Sequence, residues 1–172
     1  MPPGLALYCL RVEASPQFVP DGFEPPRGLV LAGVKLEALG PQHNEADYAA
    51  WSSSMTQIRA TPGFVGRSWP HEMSLAENLR DLETHARDFE ERLGFTYTVL
   101  DPVDGDVIGC VYIYPVGTAD ADTAAEGAIH DASVRSWVRA ERAALDEPLW
   151  RAVSDWLREA WPFERVAYAA RP

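Results

Sequence analysis

Glycine is missing from the whole of residues 132–169. That stretch otherwise reads as strand, short loop, amphipathic helix and strand, an order that commonly holds a phosphate-bearing ligand at a helix N-terminus. Backbone approaches phosphate closely only where no Cβ intervenes. The absence therefore weakens the expectation of phosphate binding and leaves the fold untouched. Cysteine is scarce too. Cys9 and Cys110 form no disulfide framework, and Cys110, inside an apolar run, reads as an ordinary buried thiol. Lysine occurs once, at Lys35; every other basic residue is arginine, which fits GC-rich coding and points to no function.

No apolar run approaches the roughly 20 residues of a membrane span. Met1–Leu10 has neither a basic leader nor a long apolar core, so no secretory signal is expected and a cytoplasmic location follows. His43, His71, His85 and His130 lack metal-ligand spacing, and no metal site is expected. A G-x-S-x-G elbow, a Walker A loop and a Rossmann glycine run are all absent.

What is present suits one domain with a proper core: 172 residues, 47% hydrophobic and 24% charged. The net charge of -11 argues against nucleic acid, whose phosphates it would repel. It fits a cationic substrate such as an amine, and equally a merely soluble surface.

Residues 1–33 read as an N-terminal arm, with a short strand at Leu5–Val12 and an extended, proline-rich Ser15–Arg27. Residues 34–172 carry the domain. Val34–Leu39 alternates as a strand. Asn44 is expected to cap a helix whose apolar positions are Tyr48, Trp51, Met55 and Ile58. Pro62, Gly63, Gly66 and Pro70 end it. Ser74–Glu77 has the capping-box pattern, and Leu75, Leu79, Leu82, Phe89 and Leu93 then mark one helical face, with Gly94 as a left-handed cap. The carboxylates on its other sides, Asp81 and Asp88 among them, read as a solvated face.

Phe95–Asp101 and Val107–Tyr114 form a hairpin across Pro102–Asp106. Gly117–Asp131 is a small, polar loop. Ala132–Arg139 alternates, with Val134, Ser136 and Val138 on one face and Arg135 and Trp137 on the other. Pro148 begins a helix burying Leu149, Val153, Trp156 and Leu157, and Arg165–Ala169 is the last strand. No internal repeat is evident.

This element order resembles the GNAT superfamily of acetyltransferases over Val34–Ala169. The hairpin, with Val107-Ile108-Gly109 entering its second strand, looks like the family's central hairpin. Ser136-Trp137-Val138-Arg139 followed by Leu149–Leu157 looks like its cofactor-binding strand and helix. The region around Trp51, Trp69-Pro70 and Ser74–Glu77 is similar to actinobacterial members. The resemblance implies an α/β fold, a mixed central sheet flanked by helices. It implies acetyl-CoA as co-substrate and transfer of the acetyl group to a small-molecule amine.

The cofactor would lie against Trp137, Val138, Arg139, Arg142, Ala143, Ala144, Leu145 and Asp146. The acceptor would lie near Trp51, His71 and Trp137. Family members usually carry Gln/Arg-x-x-Gly-x-Gly/Ala between that strand and helix. This chain has Arg139–Pro148, without glycine and about two residues shorter, which implies a degenerate phosphate loop. Asp146 and Glu147 at the helix start gain from its dipole and would repel a pyrophosphate. Asp146 reads as an ordinary N-cap. Arg139, Arg142 and Arg151 are the guanidinium groups that would compensate.

The family's tyrosine general acid lies on a helix past the last matched strand, and the sequence ends at Pro172. The role would fall to Tyr112, Tyr114 or water. Base candidates are Glu72, His71, Glu45 and His43. The N-terminal arm, or a second copy in a homodimer, would cover the surface those missing elements leave. Two readings stand: an acyltransferase, or a catalytically inactive GNAT-fold binding or dimerisation module. A hydrolase using Cys110 and a histidine is a distant third.

Overall fold

The computed structural model describes residues 17–117 and 131–172. The expected strand at Leu5–Val12 and nearly all of the Gly117–Asp131 loop lie outside those residues. Six strands form one sheet in the order β1 (Gly28–Leu31), β2 (Val34–Ala38), β3 (Phe95–Leu100), β4 (Val107–Pro115), β5 (Ala132–Val138) and β6 (Val166–Tyr168). Neighbours from β1 to β5 are antiparallel, and β6 runs parallel to β5. β1 belongs to the stretch set apart as an arm. Its hairpin with β2 turns at Ala32 and Gly33, both at positive φ. Two residues ahead of β1 pack onto the core as well: Val19 is buried and Phe18 stacks on Phe95 and Phe163.

Helices cover both faces. On one, α1 (Asn44–Ser52), α2 (Met55–Ala60) and the start of α3 (Leu75–Glu91) bury Trp51, Ile58, Phe64 and Leu82 against Cys110 and Trp137. On the other, α4 (Asp146–Ala160) buries Leu149, Val153, Trp156 and Leu157 against Ile108, Val134 and Val138. β5 is buried along its whole length, as expected of a strand covered on both faces. Gly109 is what allows this pairing. A Cβ there would lie 2.0 Å from the Trp137 carbonyl oxygen on β5.

Three local expectations are corrected. The single helix over Tyr48–Ile58 is two, broken at Ser53–Ser54, and the cap is His43, not Asn44. The Asn44 side chain instead donates to the Leu75 carbonyl and accepts from Asn78. α3 ends with Arg92 in the left-handed position (φ 61°), so Gly94 is not its cap. Gly94 serves space: a Cβ would meet the Tyr114 ring at 2.2 Å. Leu93 falls past the helix and is exposed. Finally, α4 begins at Asp146, ahead of Pro148, and Asp146 makes no side-chain cap.

The capping box of α3 is as expected. Ser74 Oγ accepts from the Glu77 N–H at 3.2 Å, and Glu77 accepts from the Ser74 N–H at 2.7 Å. Ser74→Ala is expected to cost about 1 kcal/mol. Urea unfolding should show a lower midpoint at an unchanged slope.

Candidate functional site

Two features meet at the β4–β5 end of the sheet. The first is a cavity of about 200 Å³ between α1, α3, β4 and β5. Its walls include Phe64, Trp69 and Tyr112, with Asp47, Asp81, His85 and Arg135 as its charged or titratable members. Asp47 projects from the first turns of α1 and is 4% exposed. Its carboxylate accepts a hydrogen bond from Asn78 Nδ2 at 3.1 Å. Asn78 is itself fixed by Trp51, whose Nε1 donates to Asn78 Oδ1 at 2.9 Å. Burial pushes the Asp47 carboxyl up to about 6, against the opposing pull of the Asn78 hydrogen bond; the nearby Asp81 charge adds to the rise.

Aromatic rings line the same cavity. Trp69 lies 6.2 Å from Trp137 and 6.3 Å from Tyr112. Arg135 sits over the rings of Phe64 and Tyr112, at 5.4 and 5.6 Å.

The second feature is a crevice between the C-terminal ends of β5 and β6. The parallel pairing stops at Val134–Tyr168, while β5 runs on to Val138. At the other end the Asp131 carboxylate accepts the N–H groups of Glu164 and Arg165, which hold its carboxyl below the usual range and pin the strands together. The ladder is pinned at that end; at the other it stops beside the N-terminus of α4, and β5 continues past the end of β6.

Arg171 fills this crevice. Its side chain is 2% exposed. Nε and Nη2 donate to the two Asp146 carboxylate oxygens at 2.6 and 3.0 Å. Nη2 also donates to the Ser136 carbonyl and hydroxyl, and Nη1 to the carbonyls of Pro62 and Ala169. Ser136 Oγ is 2.5 Å from the Tyr168 hydroxyl, whose pKa burial raises against the opposing pull of that hydrogen bond. The expected N-cap, Asp146, is thus half of a bidentate ion pair.

The expected site residues divide accordingly. Tyr112 is on the cavity wall; its hydroxyl accepts from Trp137 Nε1 at 3.2 Å, and burial holds it protonated. Tyr114 lies behind that wall, its hydroxyl donating to Asp88 at 2.9 Å with His85 Nδ1 2.7 Å away. Trp51 and Trp137 are fully buried, forming the layer beneath the cavity. Glu72 and His71 are exposed and do not line it. Of the other base candidates, Glu45 is exposed, and His43 is buried with Nδ1 accepting the Gly40 N–H.

On the cofactor side, Val138 is buried and the Arg139 N–H donates to the Ile108 carbonyl. Residues Ala140–Leu145 form a 3₁₀ segment in which Ala143 and Ala144 are exposed and Leu145 packs against the core. Its entry is fixed by the Ala140 N–H donating to Ser54 Oγ, which the break between α1 and α2 brings into place. Arg139 pairs with Glu141, Arg142 with Asp101 and Arg151 with Glu147. The three guanidinium groups expected to replace the missing glycines are therefore engaged within the chain.

Asp47, Asn78, Asp81, His85, Phe64, Arg135 and Arg171 were not among the candidates. One signal was present for Asp47: it stands four residues before Trp51, in helical register with the apolar stripe. Nothing in the sequence marked Arg171. Among the described residues no three metal-ligating side chains converge, and no helix is long and apolar enough to cross a membrane.

No protein-family model matches the chain, and no curated protein matches its sequence. Solved structures do match it. Mycobacterium smegmatis RimJ in complex with CoA-disulfide aligns with a TM-score of 0.58 and 17% identity, over 84% of this chain and 66% of that one. The microcin C7 self immunity acetyltransferase MccE, in complex with acetyl-CoA and AMP, gives 0.56 and 13%, over 78% and 67%. The ribosomal-protein-S5-alanine acetyltransferase of Vibrio fischeri gives 0.53 and 13%, over 77% and 68%. With its six-stranded mixed sheet and helices on both faces, this chain has the fold of the GNAT-family acetyltransferases.

Proposed function

We propose that the chain is an acyltransferase of the GNAT superfamily that moves an acetyl group from acetyl-CoA to the amine of a small molecule held in the α1–α3–β4–β5 cavity. The observation that carries this reading is Asp47. A carboxylate 4% exposed, whose side-chain hydrogen bond comes from the neutral amide of Asn78, is costly to keep ionised. An ammonium entering the cavity would pair with this carboxylate, and the faces of Phe64, Trp69 and Tyr112 would favour it further. With its pKa at about 6, Asp47 would hold the ammonium as an anion near neutral pH and take its proton as the nitrogen becomes nucleophilic. Tyr112, kept protonated by burial, would be a hydroxyl donor on the same wall.

An acyl-CoA thioester would supply the acyl group, and β5 with the Arg139–Asp146 segment is the side of the sheet it would meet. The crevice as it stands does not fit pantetheine, because Arg171 occupies it and bonds the Ser136 carbonyl. The chemistry assigned to this chain is therefore limited to the acceptor side. That same occupation, together with the glycine-free loop, supports a second reading: a GNAT-fold binding module without transferase activity.

Calorimetric titration with CoA and acetyl-CoA, at low and moderate salt, separates the two. Micromolar binding supports the transferase. No binding up to millimolar ligand, by the wild type or with the Arg171–Asp146 pair broken, sinks it and leaves the binding module.

A further inference from the structure

Arg171 is the least expected group in the molecule. Its guanidinium has five N–H donors, and all five are directed at acceptors within the chain, on four separate segments: Asp146 at the start of α4, Ser136 on β5, Ala169 beyond β6, and Pro62 in the turn after α2. The two strands it joins are those whose pairing has stopped. We propose that the Arg171–Asp146 pair is a latch that closes the β5–β6 crevice, and that a ligand entering there must first displace it. The inference deepens the transferase reading and rests on it for the ligand's identity, a CoA thioester.

Three observations converge on the latch. Arg171 spans the gap itself and is not a brace beside it, since it bonds both the carbonyl and the hydroxyl of Ser136. Asp146 stands at the N-terminus of α4, where a ligand phosphate would gain from the helix dipole. An internal carboxylate there competes for the same place. Third, the turn that binds Arg171 through the Pro62 carbonyl also presents Phe64 to the amine cavity. Release of Arg171 therefore frees the turn that forms one cavity wall, so crevice and cavity would respond together.

A ligand that binds only the open form has its apparent affinity reduced by the fraction open. Breaking the latch should therefore tighten binding. The test compares wild type, Arg171→Ala and Asp146→Asn by calorimetry with CoA and by hydrogen exchange at Ser136 and Val138. Asp146→Asn keeps the side chain's shape and guards against a misfolded Arg171→Ala.

The expected result is faster exchange at Ser136 and Val138 in both variants, with CoA bound about tenfold or more tighter than by wild type. Unchanged exchange in both variants overturns the latch. Weaker CoA binding in the variants also overturns it, because Arg171 would then be a ligand contact, and the transferase reading would stand. Faster exchange with no CoA binding by any form supports the latch and defeats the transferase reading.

Discussion

Asp47→Asn should lower amine acetylation by about 10²- to 10³-fold, the contribution of a well-placed general base. The same change should make the protein more stable at pH 8. The carboxyl's pKa is raised from 3.8 to about 6 on folding, so the folded state holds its proton more tightly than the unfolded chain. Stability from this group is then present at low pH and lost as pH rises between those values, about 3 kcal/mol in all. Asparagine keeps the volume and can still accept from Asn78 Nδ2. Urea unfolding of Asp47→Asn should show a gain of about 1–3 kcal/mol at pH 8 and almost none at pH 4. A residue whose removal stabilises the fold and silences the chemistry is what a functional site held at the fold's expense looks like. Equal effects at both pH values would mean that Asp47 is neutral throughout, and the base would have to be sought elsewhere.

Arg171→Ala should destabilise the chain by about 3 kcal/mol, because it leaves the Asp146 carboxylate without its cation and strips the Ser136, Ala169 and Pro62 carbonyls of donors. Asp146 is 17% exposed and sits at a helix N-terminus, both of which soften the loss. For a chain of this size the melting temperature should fall by about 6–12 °C. Arg171→Lys should recover less than half of it, since an ammonium cannot make the paired bonds to both Asp146 oxygens while reaching Ser136. The two effects of Arg171→Ala, a weaker fold and a more accessible crevice, are linked: the contact that closes the site is one of the contacts that holds the sheet end together.

Local chemistry explains which parts of this architecture were legible beforehand. The α3 capping box, the β3–β4 hairpin across Pro102–Asp106 and the alternation of β5 are written in neighbouring residues, and each is where it was expected. Partners distant in sequence account for the misses. Asn44 has an N-cap's side chain but spends it on Leu75 and Asn78. Gly94 has the look of a left-handed cap, yet its small size matters only because Tyr114, twenty residues on, lies against it. Ser53–Ser54 breaks a helix that its apolar stripe would continue, and Ser54 then accepts from Ala140, 86 residues away.

The site was harder to foresee than the fold for the same reason. Asp47 was visible as an acidic residue near a helix start, where the dipole alone explains it. Only the packing of Asn78, Trp51 and the cavity walls makes it a buried carboxylate. Asp146 was visible as an N-cap, and Arg171 converts it into half of an ion pair. The glycine-free loop reads as a weak phosphate site, and Arg139 and Arg142 within it, like Arg151 on α4, are paired within the chain.

The central claim is that the cavity around Asp47 binds an amine for acetylation. It is tested most directly by incubating the wild type and Asp47→Asn with acetyl-CoA and a panel of small primary amines, and reading acetylated product by mass spectrometry. The expected result is product from at least one amine with wild type, lost with Asp47→Asn while the variant remains folded. Product formed equally by both proteins would contradict the role of Asp47, and no product from wild type with any amine would contradict the transferase itself.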